Sequence, residues 1–236
     1  MGGGWQGVVL LDGDAGADRV VGNWVRVRPR LRGALHAAVF PPVLVAGTVL
    51  VAVGSTLAHR LAAVVFVLGS VLLFGVSAAF HRGRWTPRVS LALRRLDHAN
   101  IYLVIAASYT PFALSCLDGR GRAAALVAVG AATAAGITVR IGWHRAPRWV
   151  TVGLYLAFGW GAVLLLPRLI SEAGPAVAAL TVAGGLTYSA GGVVYALRRP
   201  DPVPAVFGYH EVFHAFTVVG YGMHFTAVAL LVTGTA

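Results

Sequence analysis

Seven apolar stretches separated by short polar intervals set the pattern of this chain from about residue 35 onward. Each approaches the roughly 20 residues that a helix needs to cross a bilayer core. The pattern therefore predicts an all-α fold, an integral membrane bundle of seven transmembrane helices. These run over Leu35–Val53, Leu61–Phe80, Leu96–Leu117, Ala123–Ile141, Val150–Leu166, Gly174–Leu197 and Tyr209–Val232. The fifth is the shortest. The intervals Gly54–Arg60, His81–Arg95, Asp118–Arg122, Gly142–Trp149, Arg168–Ala173 and Arg198–Gly208 are all short, so consecutive helices should be antiparallel neighbours. Pro41 and Pro42 in the first helix and Pro111 in the third predict local kinks.

Residues 1–34 break the pattern. They carry many glycines and scattered Asp, with no compact apolar core behind a basic start. They are expected to form a loosely ordered extension without a cleavage signal, preceding a transmembrane domain over residues 35–236.

Composition fits this reading, with 58% hydrophobic and 11% charged residues. The net charge of +11 rests on 19 arginines and no lysine. These lie in the intervals rather than on one face of a folded domain, which argues against a nucleic-acid partner. With the N-terminus inside, the cytoplasmic side holds fourteen arginines: 26, 28, 30, 32, 82, 84, 88, 94, 95, 140, 145, 148, 198 and 199. The other side holds four, Arg60, Arg120, Arg122 and Arg168. The positive-inside rule then places the N-terminus in the cytoplasm and the C-terminus outside, with membrane lipid as the surrounding partner. A single cysteine, Cys116, excludes an internal disulfide and a cysteine-based zinc cluster.

Any metal must therefore be held by His and carboxylate, and this topology gathers such residues at one depth. The second helix ends at the cytoplasmic side with Ser77 and His81 one turn apart. The third begins there with Asp97 and His98, and the seventh with Gly208-Tyr209-His210-Glu211-Val212-Phe213-His214. His210 and His214, at i and i+4, share a helix face and can present two nitrogens to one ion. Ionisable groups facing lipid are costly, by about 2.5–3.5 kcal/mol each at mid-membrane, so these should face inward and find partners. His81, His210 and His214 with one solvent position compose a zinc site with an open ligand position. Asp97 is then suited to hold the water and accept its proton, and Ser77 to donate to Asp97 or to a substrate carbonyl.

The other histidines read as structural. His36 opens the first helix on the same side as a polar neighbour, and His98 points about 100° away from Asp97. His224 lies about 15 Å beyond His214 by helical rise. His59 and His144 fall in intervals. The string His210-Glu211-x-x-His214 matches the zincin signature, in which the glutamate is general base. Glu211 at a helix N-terminus, however, is favoured by the helix dipole without catalytic duty.

Together, Ser77-x-x-x-His81, Asp97-His98, Ser108-Tyr109-Thr110-Pro111-Phe112, Tyr155-x-x-x-Gly159-Trp160 and Gly208-Tyr209-His210-Glu211-x-x-His214 resemble the hemolysin III family, within the progestin and adipoQ receptor superfamily of seven-helix membrane proteins. The resemblance implies a zinc ion near the cytoplasmic face, bound by His81, His210 and His214, with Asp97 and Ser77 near its water. The family also carries an acidic residue and an asparagine ahead of a histidine at the start of the first helix. Here His36 is present, but Arg32 stands in place of the asparagine, with Arg28 and Pro29 in the acidic region.

Two functions follow from different classes. One is zinc-dependent hydrolysis of a lipid amide or ester, since superfamily relatives resemble ceramidases. The other is a non-enzymatic membrane-active (cytolytic or pore-forming) or sensing protein in which zinc ties the second and seventh helices together.

Overall fold

The computed structural model describes residues 29–143 and 146–235, and within them the chain is helical with no strand. The expected extension lies largely outside the described residues, as do His144 and Arg145. The helices are α1 (Ala34–Val53), α2 (Leu57–Arg82), α3 (Pro87–Cys116), α4 (Gly119–Gly142), α5 (Arg148–Trp160), α6 (Leu166–Leu197) and α7 (Tyr209–Thr233). A short 3-10 turn, Gly161–Leu165, joins α5 to α6.

Six stretches are long and apolar enough to cross a membrane, with Arg148–Leu197 forming one continuous 50-residue run. The difference from the expected count lies in this run. Arg168–Ala173, expected as an interval, is helical and belongs to α6. The break falls instead at Gly174, whose φ of 80° suits glycine and which is followed by Pro175, a residue that favours a fresh helical start. The expected interval His81–Arg95 is also mostly helix. Thr86 caps α3 by accepting from the Val89 N–H, and Pro87 takes the first turn, so the helix begins nine residues before the apolar stretch does. Thr56 caps α2 in the same way and brings His59 into its first turn.

The distribution of polarity is inverted relative to a water-soluble protein. Val45, Leu57, Leu61, Leu68 and Val127 face outward, whereas Arg32, His36, Ser77, His81, Asn100, His210, Glu211 and His214 are buried. Outward aliphatic and inward polar groups are what a hydrocarbon surround selects. The closest packing joins α6 to α7, α2 to α3 and α1 to α2. Between α6 and α7 it depends on small residues: a Cβ on Gly191 would lie 2.7 Å from Phe216 Cβ, and one on Gly220 3.1 Å from Tyr188 Cδ2. An aromatic and aliphatic core including Phe66, Phe74, Phe112, Val177, Tyr221 and Val228 joins α1, α2, α3, α6 and α7.

Pro29–Gly33 is pinned to the far end of the sequence. The N–H groups of Arg30 and Leu31 donate to the carbonyls of Ala205 and Val206, both at 3.0 Å. Gly33 turns the chain into α1 with φ 73°, and a Cβ there would sit 2.5 Å from that of His81. This position thus needs glycine both for its backbone and for its closeness to α2.

Candidate metal centre

The end of the bundle where α2 finishes and α1, α3 and α7 begin gathers the ionisable side chains. His81, His210 and His214 are all buried, and each offers one ligand atom within 4.8 Å of the others. His81 Nε2 and His210 Nε2 are 3.3 Å apart. A tetrahedral ion bound at about 2.0–2.1 Å spaces its ligand nitrogens by about 3.3–3.4 Å, so this pair already stands at the separation of two co-ligands. His214 Nδ1 is buried without a hydrogen-bond partner, a state that buried polar nitrogens rarely keep without an ion or water. Donor type, burial and spacing therefore fit a metal held by three imidazoles. Asp97 comes from α3 to the same place, with Oδ2 3.8 Å from His81 Nε2.

Two groups at the start of α1 join this cluster: the sequence placed one, His36, on this side only as a polar neighbour, and gave the other no part in it. His36 stacks on His214, with ring centroids 3.8 Å apart and planes within 5°. Its Nδ1 lies 2.8 Å from Ser77 Oγ. Ser77 thus holds His36, and His36 backs His214. His36, expected as a structural residue and polar neighbour, reaches both because α1 packs closely on α2. The signal available in sequence was the position of His36 itself, one turn after the Gly33 that lets α1 approach His81.

Arg32 is the second. It is 5% exposed, and its Nε lies 3.1 Å from Oε1 of Glu211, which is 1% exposed. The other carboxylate oxygen of Glu211 accepts from the Gly208 N–H at 2.8 Å, closing a capping box at the start of α7. Both oxygens of Glu211 are thus engaged in holding the helix, which leaves the metalloprotease role for this residue without support.

The remaining histidines stand apart from the three. His98 Nδ1 is 3.2 Å from Arg140 Nη2, and its carbonyl accepts from the Tyr155 hydroxyl. His59 is half-buried and bonds to Ser55 Oγ. His224 Nε2 donates to the Thr181 carbonyl at 3.1 Å, well along α7. Tyr109 in the polar break of α3 donates to the Phe158 and Gly159 carbonyls at the end of α5, so its hydroxyl secures a neighbouring helix.

A cavity of about 200 Å³ runs from this cluster into the bundle between α3, α5, α6 and α7. Its polar end is lined by His36, Ser77, Asp97, His98, His210 and His214. Beyond them the walls are chiefly apolar, with Leu73, Ile101, Val104, Phe112, Val152 and Leu166, and the cavity reaches Thr181 and His224.

Fold and cluster define the class as a multi-pass membrane protein with a buried three-histidine centre. The haemolysin-III-related family profile matches residues 24–225, and the chain belongs to that family. It is 28% identical over 159 residues to the hemolysin-3 homolog of Bacillus subtilis (strain 168), covering 67% of this chain and 72% of that one. It is 29% identical over 150 residues to hemolysin-3 of Bacillus cereus, 64% of this chain and 66% of that one. It is also 32% identical over 188 residues to the heptahelical transmembrane protein ADIPOR2 of Oryza sativa subsp. japonica, 71% and 80% of the two chains.

Proposed function

We propose that this protein is a seven-span, zinc-dependent hydrolase of a lipid amide or ester in a bacterial plasma membrane. The cavity carries the reading: a mostly apolar chamber joins the three-histidine cluster directly and has a carboxylate, Asp97, at the junction. An apolar recess ending in a few convergent polar groups suits an amphiphile whose reacting bond sits at its polar end. In this reading His81, His210 and His214 hold the ion. Zinc in such a set supplies a Lewis acid that polarises a carbonyl and makes water acidic near neutral pH. Asp97 orients the attacking water and takes its proton, then returns it to the leaving amine or alcohol. Ser77 fixes the His36 ring, and His36 in turn holds the plane of His214. The apolar walls exclude bulk water from the reacting end. The arginine distribution supports a cytoplasmic N-terminus and, with it, a centre near the cytoplasmic face.

A second reading is favoured by the names of two relatives, hemolysin-3 and its homolog. In it the chain is membrane-active without catalysis, and the metal ties α2 to α7. Asp97→Asn separates the two, since it keeps size and much hydrogen bonding but removes the base. Purified wild type should release fatty acid from a panel of lipid amides and esters. Asp97→Asn should retain zinc while losing at least about a hundredfold in turnover. A wild type without hydrolysis on any lipid, with liposome leakage intact in Asp97→Asn, would defeat the hydrolase reading and favour the second.

A further inference from the structure

The cavity does not end as a purely apolar chain pocket would. About 15 Å along α7 from His214, by helical rise, it meets His224, and from α6 it meets Tyr188. The His224 ring is held in place from several sides. Nε2 donates to the Thr181 carbonyl at 3.1 Å, and Tyr188 meets the ring edge-on with centroids 5.3 Å apart. Gly184 gives the ring its space, since any Cβ there would collide with it. A carbonyl can only accept, so the bond to Thr181 fixes the tautomer: Nε2 carries the proton and Nδ1 is a bare acceptor. Among the described residues nothing hydrogen-bonds to Nδ1, and the Tyr188 hydroxyl has no partner either. The hydroxyls of Thr181 and Thr217, which line the same cavity, are committed as donors to their own helices. His224, with a pure acceptor, and Tyr188, with a hydroxyl able to donate, thus both line the chiefly apolar cavity far from the histidine cluster.

We propose that His224 and Tyr188 form a second recognition site for a hydroxyl on the ligand chain, accepting its proton at His224 Nδ1 and donating to its oxygen from Tyr188. The ligand class is a long-chain amphiphile hydroxylated some way from its polar head. With carbon–carbon bonds of about 1.5 Å in an extended zigzag, a span of about 15 Å corresponds to about twelve carbons. A hydroxyl near that position would meet both groups, whereas one halfway along would fall short of them and lose these two hydrogen bonds. This rests on the cavity being a chain site, as proposed above, but not on hydrolysis.

The test is therefore equilibrium binding rather than turnover. Full-length protein in lipid nanodiscs is titrated with hexadecanamides carrying a hydroxyl at carbon 12, a hydroxyl at carbon 6 or a methoxy group at carbon 12, each displacing a fluorescent fatty amide. The two hydroxylated isomers have equal apolar content, so their ratio isolates position. The 12-hydroxy chain should bind about five- to tenfold more tightly than the 6-hydroxy isomer, the scale of one or two net hydrogen bonds. The methoxy chain, unable to donate, should lose most of that gain. Tyr188→Phe and His224→Phe should each bring the ratio to within about twofold, and Tyr188→Phe retains the packed ring if His224→Phe disturbs the fold. Equal binding of the two isomers to wild type, or a preference that survives both substitutions, overturns the proposal while leaving the chain site intact. Failure of every chain to bind overturns both. Absence of turnover bears on the hydrolase reading alone.

Discussion

Arg32 Nε lies 3.1 Å from Glu211 Oε1, joining the residue just before α1 to the first turn of α7. Both partners are buried, so neither can fall back on water if the other is removed. Arg32→Met should destabilise the fold by about 3–5 kcal/mol, and Arg32→Met with Glu211→Gln by much less, because the lone buried carboxylate is then also gone. Thermal unfolding in detergent checks this. Equal losses in the single and double variants would mean that the pair does not act as a pair.

Zinc content should follow the cluster. Elemental analysis of purified protein should give about one zinc per chain, falling strongly in His81→Ala and His214→Ala and hardly at all in His98→Ala. Full retention in both ligand variants would exclude the coordination. Since each imidazole must be neutral to bind metal, protons compete for the same nitrogens. Affinity should therefore be steady above neutral pH and fall as pH drops into mild acid.

Ser77→Ala removes the hydroxyl 2.8 Å from His36 Nδ1. Because His36 backs His214, the loss should loosen a ligand without deleting one, weakening zinc about tenfold, at the lower edge of what outer partners of metal ligands contribute. Competition with a chelator measures it. An unchanged affinity would show that the His36 stack does not orient His214.

Deleting residues 1–24 should leave insertion and zinc content unchanged, whereas deleting residues 1–33 removes Arg32 and Gly33 and should lower both stability and zinc. Loss of insertion after the shorter deletion would show that the segment does more than extend the chain.

Orientation is open to cysteine labelling on a Cys116→Ser background. Arg199→Cys should react with an impermeant maleimide only from the cytoplasmic side, and Arg120→Cys only from the opposite side. The reverse pattern would invert the topology and move the centre to the outer face.

Hydropathy and spacing made the helical membrane-spanning character and the gathering of three histidines at one end legible. His81, His210 and His214 were recognisable because each sits at the same end of an apolar stretch, and topology alone brings such ends together. The early start of α3 was less visible, since Arg88, Arg94 and Arg95 remove its first turns from any apolar run. Thr86-Pro87 was the local signal that hydropathy overlooks. The parts contributed by α1 were hidden for a different reason. Nothing in the sequence near Arg32 announces Glu211, and the stacking of His36 on His214 depends on how closely α1 crosses α2. Reading Arg32 as a departure from an expected asparagine obscured what an arginine there could do, which is to neutralise the carboxylate that caps α7.

The N–H groups of Arg30 and Leu31 reach the carbonyls of Ala205 and Val206, and α1 lies against a helix that ends at Thr233. On the ribosome this arrangement imposes an order. At about 5–20 residues per second, α1 and α2 leave the exit tunnel many seconds before α7 exists. Until then His36 has no ring to stack on, Arg32 has no carboxylate, and His81 stands without its two companions. The centre can therefore close only after α7 has emerged, so a nascent chain halted within α6 should hold no zinc, and a ribosome-bound intermediate should acquire it only when α7 appears.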